Sequence, residues 1–356
     1  MGSTREIEHA VLPDPRTPAK RPALRFGVLQ FFSWPQRRVP LPVVYERALE
    51  RIRIMDSSGY DSVWLAEHHF TGYSVCPSVH MMGVHVAAQT TRLRIGMGVS
   101  LAAFYHPLRL AEEVALLDVL SGGRVNWGAG RGFDPIEFRI FGIPVEESRA
   151  RLHEAVEIVL AAWTNERVTW SGRFWQFEDV EVLPKPLQQP HPPVWLAAGS
   201  SGALRWAGRN GYSVMLGPHS TFDENAEHRE LYRRTLEQNG AELDGRALPM
   251  ARMIAIADRE DDAEEIARRG VEWLAGSYIN ASKVTAPAHD AQAFLQLERD
   301  KLMRRYIDSV VIHGSPERVA DRIAALREEM HLDYLMCVPL SHASFTAFTD
   351  KVMPNL

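Results

Sequence analysis

From Leu24 to the C-terminus the chain repeats one rhythm, a short apolar run followed by a longer segment with helical periodicity. The apolar runs are LRFGVLQFF (24–32), SVWLAE (62–67), LRIGMGVS (93–100), RVNWGAG (124–130), PVWLAAG (193–199), YSVMLG (212–217), PMARMIAIA (249–257) and LDYLMCV (332–338). Runs this short and this continuously apolar suit parallel strands covered on both faces. The helical segments span 43–57, 107–120, 146–164, 203–209, 222–238, 261–274, 316–330 and 345–352. Pro107 and Pro316 stand at helix starts, where a missing N–H is tolerated. Eight strand-then-helix units in one chain predict an α/β fold, a (β/α)8 TIM barrel, with a doubly wound open sheet as the alternative. No G-x-G-x-x-G follows the first run, which counts against the open dinucleotide-binding sheet.

Two stretches break the rhythm. Residues 166–192, RVTWSGRFWQFEDVEVLPKPLQQPHPP, read as a hairpin followed by a proline-rich return. Residues 276–308 read as a long insertion before the last strand, and loops of that length are commonly functional lids. Residues 1–22 carry four prolines and no periodicity, so they are expected to form a poorly ordered tail. That leaves 23–356 as a single barrel domain. A net charge of −5 offers no basic field for nucleic acid. Cys76 and Cys337 are too few and too distant for a disulfide framework. No stretch is long and apolar enough to span a membrane, and the N-terminus has no apolar signal core, so a cytoplasmic protein is expected.

Chemistry concentrates where strands end. The second run stops abruptly in Glu67, His68 and His69, at the end where α/β sheets carry their sites. Neighbouring strand-end residues point in opposite directions, so only one of the two imidazoles can serve a site there. Glu67 either orients that imidazole or forms an outward salt bridge. A metal centre would draw ligands from several strand ends. The first run holds no histidine, and the tops of the fifth to seventh offer neither histidine nor carboxylate, so no metal is expected. None of the five lysines falls in a strand, which excludes a Schiff-base lyase. The fourth run ends in GAGRG and the fifth in AAGSSG. Arg131 and Arg149 together with Gly199, Ser200 and Ser201, ahead of a helix, form a candidate anion cradle.

At this point several blocks resemble the bacterial luciferase-like flavin monooxygenase family. They are DSVWLAEHHF, HPLRLAEEVALLDVLSGGRVNWGAGRGF, EFRIFG with ESRA, SYINASK and GSPERVADRI. The resemblance runs from about Leu24 to the C-terminus. It implies a (β/α)8 barrel that takes reduced FMN from a separate NAD(P)H:flavin reductase and uses it with O2 on a small-molecule substrate. It identifies His68 as the family's essential histidine, Arg131, Arg149 and Ser200 as flavin-phosphate ligands, and Glu137 as an acidic residue beside the flavin. Lys283 matches a lysine on the mobile loop. Gly130 stands where luciferase has a cysteine beside the ring, leaving room for a wider substrate. Gly199 and Ser200 replace a Glu-Ser pair. These departures point away from long-chain aldehydes and light.

Phe104, Trp127 and Met215, with Phe32, Trp34, Met97 and Trp195, are candidate walls of an apolar or aromatic substrate pocket. The second and third helices, SVHMMGVHVAAQ and PLRLAEEVALLDVL, are richer in apolar residues than a solvated exterior needs, and predict a homodimer. Three functions follow: an FMN-dependent monooxygenase, a reduced-deazaflavin oxidoreductase working without oxygen, or a non-catalytic flavin-binding subunit.

Overall fold

The computed structural model describes residues 23–278 and 291–356; the tail expected over 1–22, and Lys283, lie outside the described residues. The first four units follow the predicted order. They are β1 (Arg25–Gln30) and α1 (Leu41–Ser57), β2 (Ser62–Leu65) and α2 (Val79–Ala87), β3 (Arg94–Met97) and α3 (Pro107–Ser121), then β4 (Val125–Ala129). After β4 come two helices, α4 (Pro135–Phe141) and α5 (Ser148–Thr164). The predicted hairpin is present as β5 (Val168–Ser171) and β6 (Gln176–Val180), paired antiparallel. The chain resumes with β7 (Val194–Ala197), α6 (Ser201–Arg209), β8 (Ser213–Met215), α7 (Phe222–Glu237), β9 (Met250–Ile256) and α8 (Glu260–Tyr278). It ends with α9 (Ala291–Ser309), β10 (Ile312–Gly314), α10 (Pro316–Glu329), β11 (Tyr334–Pro339) and α11 (His342–Ala347).

Nine strands form one sheet in the order β10-β9-β11-β1-β2-β3-β4-β7-β8, and every pairing in it is parallel. An isolated parallel bridge from Leu216 to Met250 brings the residue after β8 beside β9, so the sheet is curled. The expectation of eight strands is corrected to nine by β10, a three-residue strand too short to register as an apolar run. Helices α4 and α9 were likewise not predicted. Much of the stretch expected as an insertion is the helix α9.

Period-2 alternation sorts side chains into two layers. Val63, Leu65, Val125, Trp127, Ala129 and Leu196 pack outward against the helices. Leu29, Trp64, Trp195, Met215, Met253 and Met336 pack inward against one another. Trp64 and Trp195 meet edge to face at 5.9 Å. A Cβ on Gly96 would lie 2.3 Å from the Trp64 ring, so glycine in β3 is what lets that indole lie across the sheet. Burying a side chain of that size contributes about 3 kcal/mol. Caps fix the helix entries around this core. The Ser78, Asp134, Ser200 and Ser315 side chains each accept a first-turn N–H, and Thr221 with Glu224 forms a capping box on α7.

Candidate active site

The alternation of β2 continues past its last hydrogen-bonded residue. His68 shares the parity of Trp64 and Ala66 and faces inward; Glu67 shares that of Val63 and Leu65. His68 is 8% exposed and sits among Phe31, Tyr73 and Phe133, whose ring centroids lie 6.2, 4.9 and 5.6 Å away. Its Nδ1 is 3.3 Å from Oε1 of Glu137. That carboxylate is fully buried, accepts the His69 N–H at 2.9 Å, and leaves Oε2 without a partner.

Glu67 does not orient His68. It is buried and takes three donors from its own side: the His69 ring at 3.0 Å, the Tyr105 hydroxyl at 3.0 Å and the Leu101 N–H at 3.3 Å. Burial, and then the Glu67 charge, push the Tyr105 hydroxyl's pKa up, so it remains a donor. Glu137, expected as a flavin neighbour, is therefore the residue that holds the His68 ring. A third histidine, His80, pairs with Glu113 at 3.0 Å and with Ser100 at 2.9 Å. The rings of His68, His69 and His80 thus each pair with a different carboxylate.

The cradle residues do converge. Arg131 follows β4 and donates to the Ser148 hydroxyl at 3.4 Å. Ser148 opens α5 and precedes Arg149. The Arg149 guanidinium reaches over the first turn of α6, where a Cβ on Gly202 would be 3.1 Å from Nη1. Ser200 caps that same turn. Neither arginine has an ion pair among the described residues, and both are exposed. The Arg149 guanidinium thus stands at the positive end of α6, and Arg131 reaches the hydroxyl of the residue before it, an arrangement that an anion suits. Burial, and then the Arg149 charge, push His153 down to about 4. Among the described residues no atom lies within 4 Å of where a Cβ on Gly199 would sit, so the approach to the cradle is open.

Gly130 departs from its expected role. A Cβ there would come within 2.5 Å of Val99 Cγ2, so Val99 fills the space and no wider substrate gains it. Trp127 also departs. It packs outward on Trp163 of α5 at 5.0 Å, as Phe32 does on Tyr45 of α1, so neither lines the interior. Met215 and Trp195 do face inward. Phe104 joins Phe138 and Phe141 at 4.9 and 5.1 Å, at the α4 side of the mouth.

One residue escaped the sequence reading. His219 lies two residues beyond the sixth predicted run, where no histidine was expected, and its Nδ1 meets the Tyr306 hydroxyl of α9 at 2.9 Å. Burial, His68 and Arg305 push it down to about 4. The Gly-Pro-His sequence at a strand end was the available signal. A cavity of about 1320 Å³ opens at the tops of β1, β9 and β11, and Phe31 and Tyr73, both against His68, line it. Among the described residues no helix is long and apolar enough to cross a membrane.

Comparison with known proteins places these features. Residues 24–333 match the sequence model of luciferase-like monooxygenases. The chain is 30% identical to the oxygenase component of a flavin-dependent trigonelline monooxygenase from Acinetobacter baylyi, over 87% of this chain and 89% of that one. It is 27% identical to an alkanal monooxygenase alpha chain of Photorhabdus luminescens, over 88% and 92%. A crystal structure of a monooxygenase from Streptomyces bottropensis superposes with a TM-score of 0.79 at 25% identity, covering 93% of this chain and 99% of that one. An F420-dependent secondary alcohol dehydrogenase superposes at 0.75 with 18% identity, covering 94% and 99%, a likeness of fold.

Proposed function

The chain belongs to the luciferase-like monooxygenase family, and from that premise we propose that it is the oxygenase component of a two-component system. It takes reduced FMN from a separate NAD(P)H:flavin reductase and uses O2 to oxygenate a small, apolar or aromatic organic molecule. The observation that carries this reading is the inward-facing His68–Glu137 pair at the end of β2, on the same rim as the cradle of Arg131, Arg149 and Ser200. A closed (β/α)8 barrel is supported by the Leu216–Met250 bridge.

The residues present fit a phosphorylated flavin. The cradle suits its phosphate, and the orphaned Oε2 of Glu137 and Nε1 of Trp195 are polar atoms suited to a bound molecule. Bound reduced FMN would supply the electrons that activate O2. With Nδ1 turned to Glu137, Nε2 of His68 is the nitrogen that gives or takes a proton at the reacting centre. Phe31, Tyr73 and Phe133 around the ring exclude water from it. His219 stands behind as a neutral, buried imidazole.

The deazaflavin alternative is favoured by one observation, the superposition on an F420-dependent dehydrogenase. The test is anaerobic binding of reduced FMN and of reduced F420, followed by oxygen uptake with a substrate panel. The proposal expects preferred FMN binding, and substrate-dependent oxygen incorporation that His68→Ala abolishes while FMN still binds. Preferred F420 binding with oxygen-independent turnover would refute it. A homodimer through α2 and α3 is supported by the exposed Met81, Val84, Leu116, Val119 and Leu120.

A further inference from the structure

We propose that the cavity between α1 and α8 binds a small aromatic carboxylate, its anion on Arg47 and Arg51 and its ring toward Phe31 and Tyr73. Naming this anion as the molecule oxygenated rests on the monooxygenase reading above; the binding site itself does not. The cavity, about 1320 Å³, exceeds what a drug-sized ligand needs. Arg38, Arg47, Arg51 and Arg299 line it. None of the four has an ion pair among the described residues, whereas Arg269 on the same wall is bound to Glu265 at 2.7 Å. Arginines elsewhere on the surface are commonly paired in the same way, as Arg109, Arg151, Arg233 and Arg268 are with neighbours one helical turn away.

Among the described residues two carboxylates, Asp134 and Glu272, share the lining. Asp134 is engaged as the cap of α4, accepting the Ile136 N–H at 2.8 Å. Among the described residues, four unpaired guanidiniums against two carboxylates leave the lining with an excess of two positive charges.

Arg51 identifies where the anion sits. Its Nε is buried without an acceptor, and burial, then Arg47, lower its pKa from the usual arginine range. A guanidinium N–H buried with no acceptor is costly to the fold. A carboxylate offers the planar pair of oxygens that such a fork binds. Arg47 stands one turn before Arg51 on α1 and lines the same cavity. Gln30, at the end of β1, is 2% exposed and lines the cavity too. Its Oε1 has no partner, so the ligand meets a polar atom as well as cations. Phe31 and Tyr73 carry the cavity to His68, at ring distances of 6.2 and 4.9 Å, and supply aromatic faces for a ring.

The site is distinct from the phosphate cradle. The cavity reaches Asp134 and Ile136 beyond β4, but among the described residues that line it none of Arg131, Arg149 and Ser200 of the cradle appears.

The test is calorimetric binding of benzoate and nicotinate, each against its amide, to the flavin-free full-length chain at low salt. Both carboxylates are expected to bind at least about tenfold tighter than their amides, with a preference that fades as salt is added. Arg51→Gln, and separately the exposed Arg47→Gln, are expected to erase that preference while reduced FMN binding is kept. The proposal is overturned if carboxylate and amide bind alike, if neither binds, or if the preference survives both substitutions. It is also overturned if the two variants lose FMN instead, which would make these arginines a flavin-phosphate site. Failure of the monooxygenase reading looks different: the unaltered protein would ignore reduced FMN yet keep its carboxylate preference.

Discussion

If Arg131 and Arg149 hold a flavin phosphate, removing them must cost FMN its phosphate-dependent affinity and leave the ring's contribution alone. The comparison that isolates this is FMN against riboflavin, which differ only in that phosphate. A hydrogen bond to a charged partner contributes about 1.5–3 kcal/mol. Both guanidiniums are exposed, so solvent screening puts each at the lower end, about 1.5 kcal/mol. The Arg131→Ala/Arg149→Ala double variant then loses about 3 kcal/mol toward FMN, roughly a hundredfold in Kd. Riboflavin affinity should change by no more than about threefold. Anaerobic titration of the reduced flavins, followed by protein fluorescence, measures both. An equal loss for FMN and riboflavin would mean that the arginines support the fold or the ring. No loss for either would mean that the phosphate goes elsewhere, and either result refutes the cradle.

Two further outcomes follow from buried and capped groups. Burial alone would raise the Asp56 carboxyl, but the N–H groups of Thr91, Arg92 and Leu93 and the Thr91 hydroxyl outweigh it and hold its pKa at about 2. Its stabilisation is therefore full above the unfolded value of about 3.9 and is lost as pH falls toward the folded one. Asp56→Asn should cost about 1 kcal/mol in urea unfolding at neutral pH, after discounting for exposure, and the difference from the parent should close in acid; a gap independent of pH would contradict this. His219, held at about 4 by burial, His68 and Arg305, favours the fold as a neutral ring. That contribution is full above the unfolded pKa of about 6.5 and is lost as pH falls through the folded value. Histidine-resolved NMR should show no titration of this ring above about pH 5.5, and an inflection near the unperturbed value would show the ring to be solvated.

Much of the fold was written locally. Each predicted apolar run coincides with an observed strand to within a few residues, because a strand covered on both faces must be apolar throughout, and that is visible without knowing its neighbours. The hairpin at 168–180 was legible for a different local reason, the alternation of apolar and polar residues in Val168–Ser171 and Gln176–Val180. Parity at the end of β2 allowed only one of His68 and His69 to serve a site, and the family resemblance chose His68; Arg131, Arg149 and Ser200 stood out by their places at strand ends and helix starts. The same covering of both faces hid other facts. A strand apolar on both sides carries no mark of which side is inner, so Trp127 could be assigned inward when it packs on Trp163. Strand β10 was too short to leave a pattern.

What the sequence by itself determined is thus the order of elements, the rim on which chemistry gathers and the inward turn of one histidine, all set by periodicity within a few residues. Only the tertiary structure decided the pairings across the rim. Glu137 reaches His68 from 69 positions away in the chain, Glu67 turns to Tyr105, and Val99 fills the space beside Gly130. The Nε of Arg51 is left buried without an acceptor. These contacts depend on how separate strands and helices are set against one another, and no local periodicity encodes that.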